Sequence, residues 1–498
     1  MDQPNQPLSP PPENLTLASA NALATQGVQY ATATAGARAE NLQHAIACYE
    51  AALRFFTQTD YPGQWAALQN YLGSALGGLQ RGDRAETLRK AIACYEGALR
   101  VFTEANQPLA WAEAQNNLAF VYAELPTGDR GDNLRRSIAC HESALRVLTR
   151  ATHPNLWGDV QNNLGAAYAN LPAGDRGRNL ERAISCYEAA LGIYLEAGRL
   201  EDWAGTQDNL GVAYAKLPTG DRGSNLERAI ACYTAALGVF TEAAHPGRWA
   251  IAQNNLGTAY QELPSGDRSA NLQKSIAYFE AALRRYTEAD HPAPWATLQT
   301  NLGAAYAQLP IGDSGANLQR AITCFEAALR VRTQAGYAAQ WAMTQINLGV
   351  VYAELPSGDR AANLSKSIAC FEAALRVDAE GEYLPRWATT QDKLGTLYAE
   401  LPSGDRAANL LKAIVCFEAA LGVHSEADAP AEWAATQSNL AFTLEKLADL
   451  TGDAQLTKRA IACFEAAQRG FTSSGLHKEA NEIRRLIKAA RKRADVVR

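Results

Sequence analysis

All nine tryptophans of the chain fall on one spacing: Trp65, Trp111, Trp157, Trp203, Trp249, Trp295, Trp341, Trp387 and Trp433 are each 46 residues from the next. A glutamine follows every one of them four residues on, a leucine seven on, and a glycine or alanine eight on. A register kept this strictly identifies a tandem array of one supersecondary unit, in which each copy packs mainly on its neighbours. The 498 residues are therefore not an assortment of separate domains.

The unit is helical. In the repeat that begins at Trp249, the residues Trp249, Gln253, Leu256 and Tyr260 recur at steps of four, three and four. At about 100° per residue they lie within roughly 60° of one another, on one face of a helix. Leu272, Ile276, Phe279, Ala282 and Leu283 form a second such face. The period-two alternation of a strand is absent. Each repeat is expected to be two antiparallel helices, roughly 15 and 20 residues long. The expected fold class is all-α, an α-solenoid.

Glycine recurs eight residues after Trp, at Gly73, Gly165, Gly211, Gly257, Gly303, Gly349 and Gly395, with Ala119 and Ala441 as substitutes. Inside a helix it costs about 1 kcal/mol against alanine. Its return implies a steric reason, the close approach of a neighbouring helix.

These residues resemble the tetratricopeptide repeat. Leu164-Gly165 and Tyr168 match that family's first-helix signature, and Ala183, Tyr187, Ala190 and Leu191 match its second. The repeat here is 46 residues, longer than the family norm, with extra residues in the Leu-Pro-x-Gly-Asp-Arg region and before the next Trp. The resemblance implies a right-handed superhelix of antiparallel helix pairs, with a pitch that the longer repeat leaves open. A tenth, Trp-less copy precedes Trp65: Gly27, Tyr30 and Gly36 stand 46 residues before Gly73, Leu76 and Gly82. The expected organisation is a Pro-rich tail over 1–14, ten helix-pair repeats over 15–473 and a basic capping helix over 474–498.

Two recurring elements invite a chemical reading and have a structural one. Gly-Asp pairs occur at Gly82, Gly128, Gly174, Gly220, Gly266, Gly312, Gly358 and Gly404, mostly followed by Arg. Glycine is expected to close one helix in the left-handed conformation and aspartate to cap the next. Ser314 replaces Arg in one copy, which argues against shared chemistry. The nine cysteines stand singly, one per second helix, and never as Cys-x-x-Cys, against zinc and against a disulfide framework. Trp is expected in the packing between repeats, and Gln four residues on is expected to tie down loop backbone. His153, His245 and His291 precede Pro and are expected at the surface.

The candidate binding residues are a row of amides. Asn117, Asn163, Asn209, Asn255, Asn301, Asn347 and Asn439 each precede the Leu of a first helix and project about 120° from the packed face. Asn116, Asn162 and Asn254 add a second amide beside three of them, and Asn70 and Asp208 hold the same place in two further repeats. In tetratricopeptide superhelices an Asn at this place lines the inner surface, where its amide donates and accepts at once. The alternative is a bond between neighbouring repeats. The row should be more amide-rich in the N-terminal half.

The net charge is −6, from 46 Lys and Arg against 52 Asp and Glu, so nothing favours wholesale nucleic-acid binding. A local excess of basic residues lies at 478–498, where Lys478, Arg484, Arg485, Lys488, Arg491, Lys492, Arg493 and Arg498 face Glu479, Glu482 and Asp495. It is expected to be a solvated end cap. The chain offers no apolar run long enough to span a membrane and no secretory pattern at its start, which points to the cytoplasm. No nucleophile–base pair, metal cluster or phosphate loop breaks the period, so no catalysis and no cofactor are expected. The expected function is a scaffold that binds an extended segment of a protein partner on its concave face. A sensor module for a small molecule or signal peptide is the alternative, and it requires one concentrated polar pocket. The resemblance to long bacterial arrays also implies a possible adaptor role beside a caspase-like peptidase, acting in trans.

Overall fold

A computed structural model describes residues 15–34, 36–378 and 384–496. The expected tail, 1–14, lies outside the described residues. The described residues contain helices and no strand, and the chain divides into two compact units, 1–265 and 266–498.

The first unit holds α1 (Leu17–Thr32), α2 (Arg38–Ala52), α3 (Pro62–Gly78), α4 (Arg84–Leu99), α5 (Pro108–Glu124), α6 (Arg130–Leu145), α7 (Pro154–Asn170), α8 (Arg176–Glu196), α9 (Leu200–Lys216), α10 (Arg222–Leu237) and α11 (Pro246–Glu262). The second holds α12 (Arg268–Leu283), α13 (Pro292–Gln308), α14 (Ser314–Val331), α15 (Ala338–Glu354), α16 (Arg360–Asp378), α17 (Leu384–Glu400), α18 (Arg406–Leu421), α19 (Pro430–Thr451), α20 (Ala454–Ser473) and α21 (His477–Val496). Within each unit consecutive helices pack as pairs, and each pair packs on the next. The first helices are mostly 17 residues and the second mostly 16, so the second is shorter than expected. A turn takes up the difference. In most copies it ends in a proline at the first helical position, where a missing N–H costs nothing.

The joint inside each repeat explains the Gly-Asp-Arg signal and corrects part of it. α5 ends at an extended Leu125, and Gly128 (φ 83°) lies three residues further on. The left-handed glycine thus bends the connector before the next helix; it does not close the preceding one. Only in the irregular last repeat does Gly452 (φ 72°) sit directly at a helix end. The aspartates do cap: Asp129 accepts from the N–H of Asp132 at 2.7 Å, and Asp175 from that of Arg178 at 3.1 Å. The arginine reaches back to carbonyls that the previous helix leaves unpaired. Arg84 donates to Gly77 O at 2.7 Å and Leu79 O at 3.0 Å, and Arg406 to Ala399 O at 2.8 Å. A buried asparagine completes the joint. Asn179 donates to Ala173 O at 3.0 Å, Asn225 to Thr219 O at 2.8 Å, and Asn363 to Ser357 O at 2.8 Å.

The glycines eight residues after Trp meet an aromatic ring most closely. A Cβ on Gly165 would lie 2.8 Å from Tyr187, on Gly211 2.6 Å from Tyr233, and on Gly395 2.7 Å from Phe417. In each case the ring comes from the second helix of the same repeat. Between repeats, Tyr168 Oη donates to Glu142 at 2.6 Å, Tyr214 Oη to Glu188 at 2.9 Å and Tyr352 Oη to Glu326 at 2.8 Å. A basic side chain lies over each of these tyrosines: Arg182, Arg228 and Lys366.

Several expectations need adjustment. Trp111 and Trp249 are buried, whereas the other seven tryptophans are half-buried at the edge of the packed layer. Trp65, Trp111 and Trp157 all join one apolar cluster with Phe102, Leu148 and Val160. Gln253, expected to hold loop backbone, has its carbonyl oxygen buried without a hydrogen-bond partner. His153, His245 and His291 are half-buried rather than surface residues, because each sits at the start of a helix, and His245 and His291 pack on Phe240 and Tyr286. All nine cysteines are free, five buried and four half-buried.

At the C-terminus, Ile483 and Ile487 of α21 pack on Ala441, Phe464 and Ala467 of α19 and α20. The described basic residues of α21 face outward, with Arg491 bonded to Glu465 at 2.5 Å.

Candidate functional site

The amide row lies on the first helix of each repeat, and the structure separates its members into two kinds. In some junctions the Asn bridges. Asn117 Nδ2 donates to Asn70 Oδ1 at 3.4 Å, Asn255 to Asp208 Oδ1 at 3.1 Å, and Asn439 to Asp392 Oδ1 at 3.3 Å. The acceptor always stands one residue earlier in the preceding repeat's register. In others the amide is uncommitted: Asn163, Asn209 and Asn347 are half-buried and make no hydrogen bond among the described residues. Asn254 and Asn301 both have partners. Asn116 Oδ1 is buried and unpartnered, the acceptor that Asn163 would reach if it bridged as Asn117 does.

One stretch of the first compact unit departs from the period, and the row opens there into a cavity of about 340 Å³. Its walls come from α7 (Asn162), the end of α8 (Tyr194), α9 (Asp202, Gly205, Thr206, Asp208, Asn209), the segment after α10 (Phe240) and α11 (Arg248, Ile251). Three local sequence changes make it. The second helix α8 runs on for 21 residues and consumes the usual turn, and α9 starts at Leu200 instead of a proline. Gly205 stands where the neighbouring repeats have Asp159 and Ile251, so the floor lacks a side chain. A Cβ there would lie 3.0 Å from Arg248 Nη1. The Thr206 hydroxyl, whose single proton is shared between Asp202 O at 2.8 Å and Asn162 Oδ1 at 3.0 Å, sits against the acceptor that a bridging Asn209 would use.

The charges around the cavity are unevenly matched. Arg199 pairs with Asp159 at 2.9 Å and with Asp202 at 2.8 Å, and Tyr194 Oη donates to Asp159 at 2.9 Å. Burial, and then the neighbouring Asp159 carboxylate, push the Tyr194 hydroxyl well above its ordinary pKa. Among the described residues Asp208 has one hydrogen-bond partner, Asn255, on Oδ1. Burial pushes its carboxyl above the ordinary range, offset by the Asn255 bond and the nearby Arg248 charge. Arg248 lies over the Phe240 ring, 5.1 Å from its centre, and is in ion-pair contact with no carboxylate among the described residues.

The second compact unit holds a different polar feature. Arg332 is buried and donates to Thr300 Oγ1 at 2.8 Å, Thr344 Oγ1 at 3.2 Å and Thr297 Oγ1 at 3.0 Å. Those hydroxyls donate onward to backbone carbonyls of their own helices, so the cation is solvated by a closed set of dipoles. The cue was a charged residue in a column that reads Phe56, Phe102, Leu148, Tyr194, Phe240 and Tyr286 in the preceding repeats.

Among the described residues no group of His, Cys, Asp and Glu could hold a metal ion, and no helix is long and apolar enough to cross a membrane. Burial pushes the thiols of Cys94, Cys186 and Cys370 up to about 11, so they are poor nucleophiles and metal ligands.

No family model matches the chain, and no curated protein matches it. Solved structures similar to it include a human IFIT1 dimer with PPP-AAAA, at 13% identity and a TM-score of 0.44, covering 96% of this chain and 91% of that one. The apo form of the quorum sensor NprR from B. thuringiensis is similar at 15% identity and a TM-score of 0.44, over 82% of this chain and 99% of that one. The C-terminal part of a tetratricopeptide repeat-containing protein from Cytophaga hutchinsonii is similar at 13% identity and a TM-score of 0.39, over 64% and 96%. These likenesses are remote. The helix pairs, with a glycine of one helix against an aromatic ring of the next, make this an all-α chain of tetratricopeptide-like repeats.

Proposed function

We propose that this chain is a non-enzymatic interaction scaffold that binds an extended segment of a partner protein along the amide row of its first helices. The observation that carries the reading is the set Asn163, Asn209 and Asn347, whose half-buried amides make no hydrogen bond among the described residues. A polar side chain held on a rigid helix at a fixed spacing, with donor and acceptor both unspent, suits the backbone of an extended peptide. The bridging members Asn117, Asn255 and Asn439 keep their neighbours in register and contribute stability. Asn301 is a further member of the row, already partnered, and Asn116, Asn162 and Asn254 flank the row and shape it.

Unpaired cysteines throughout fit a reducing compartment, and we place the protein in the cytoplasm. An adaptor role in trans for a caspase-like effector is a narrower form of this reading and stands on the resemblance of the repeat. The test is a photo-crosslinking residue placed at Asn163 and, separately, at Arg178 on α8. The reading expects partner adducts from the first position and none from the second. Equal labelling from both would remove it.

A second reading, the ligand sensor, is favoured by one observation, the cavity beside Asp208 and Arg248. It is compatible with the first, since the cavity occupies one stretch of the same row.

A further inference from the structure

The cavity of the first compact unit constrains its occupant by charge. Asp159 and Asp202 share one cation, Arg199. Two further charged groups stand at the walls without an ion-pair partner among the described residues, Asp208 on α9, which accepts from Asn255, and Arg248 on α11. They lie near enough to interact electrostatically but form no ion pair. A slot therefore separates an anion from a cation. A purely anionic ligand meets the uncompensated Asp208, and a purely cationic one meets Arg248. A ligand that carries both an ammonium and a carboxylate answers both at once, with charge-assisted hydrogen bonds stronger than neutral ones.

The rest of the lining agrees. Asn209, with donor and acceptor free, lies next to Asp208, where it can take an ammonium proton alongside Asp208 Oδ2. Phe240 and the exposed Ile251 supply a short apolar wall. The volume of about 340 Å³ is at the low end of small-molecule pockets, roughly 300–1,000 Å³, so the ligand is small. Gly205 creates the floor, and the Arg248 guanidinium rests beside it because no side chain is there.

We infer that this cavity is a binding site for a small zwitterion of the α-amino-acid type, its ammonium on Asp208 and Asn209 and its carboxylate on Arg248. The inference rests on the second reading above, that the cavity is a ligand site, and names the ligand's chemistry.

The test uses the full chain and the twenty proteinogenic L-amino acids as probes. Thermal shift at millimolar concentration selects binders, and calorimetric titration follows with the N-acetyl and the carboxamide derivative of each. At least one free amino acid should bind, and each blocked derivative should bind at least about 10-fold more weakly, one lost charge-assisted contact apiece. Asp208→Asn keeps the Asn255 bond and Arg248→Met keeps the packing on Phe240, yet each should abolish binding. Gly205→Ile, which places the residue of Ile251 on the floor, should abolish it too. Asp392→Asn, the equivalent change in the second unit, should leave binding unchanged. Circular dichroism confirms that each variant is folded. Blocked derivatives that bind as well as their parents would overturn the zwitterion while keeping a ligand site. No binding by any amino acid or derivative would overturn both. Crosslinking from Asn163 reads the scaffold independently of either result.

Discussion

A Cβ placed on Gly165 would sit 2.8 Å from Cε1 of Tyr187 and 3.2 Å from the Ala183 carbonyl oxygen. Tyr187 is buried and cannot swing away. The helix propensity of alanine, worth about 1 kcal/mol, is thus set against a ring that has no room. Gly165→Ala should destabilise the repeats around α7 and α8 by ~1–3 kcal/mol, measured by chemical denaturation. The chain itself suggests a rescue. Ala119 occupies this place in the repeat that carries His141 in place of the ring, so Tyr187→His should recover part of the loss.

The joint predicts a hierarchy. Asp175 caps α8 at an exposed turn, so Asp175→Ala should cost about 1 kcal/mol. Asn179 is buried and holds Ala173 O, so Asn179→Ala strips a partner from a part-buried carbonyl, at a cost of about 1–3 kcal/mol. Hydrogen exchange localised to α7 and α8 would show both, with the larger effect at Asn179.

His141 gives the fold a pH dependence. It is buried with Nδ1 unpartnered, and burial lowers its pKa from 6.5 to about 4. The unfolded chain takes up a proton near pH 6.5 that the folded chain refuses until about pH 4. Stability is therefore complete above pH 6.5 and falls as the pH drops toward 4, by up to ~3 kcal/mol. Denaturant midpoints between pH 7 and pH 4 should show this fall. The double variant Ala119→Gly/His141→Tyr, which restores the common pair, should remove that component.

Nearly all of the fold was legible in the sequence, because a 46-residue register with a Trp, a Gly and an aromatic residue at fixed offsets allows little besides helix pairs. The glycine's purpose was legible as crowding, but its partner was not. Only packing shows that Tyr187, from the same repeat, fills the space. The connector asparagines such as Asn179 recur visibly in the repeat, but their role is not legible there, since their carbonyl partners lie six residues back in an irregular turn. The amide row was legible as a row. Which members bridge depends on what the preceding repeat offers: Asp208 accepts from Asn255, while the Thr206 hydroxyl crowds Asn162 Oδ1, the acceptor that Asn209 would need. The cavity was the hardest to see. Its cues were departures from the pattern, Gly205 for a side chain and Leu200 for a proline, and periodicity draws the eye to what recurs.

The account's central claim is that the unspent amides of the first helices hold a partner. Affinity capture with the triple variant Asn163→Ala/Asn209→Ala/Asn347→Ala, against wild type and a bridging control, Asn117→Ala/Asn439→Ala, tests it most directly. The triple variant should lose the captured partner while its helicity and melting temperature stay at wild-type values, and the control should melt earlier and still capture. An unchanged partner bound by the triple variant would contradict the claim.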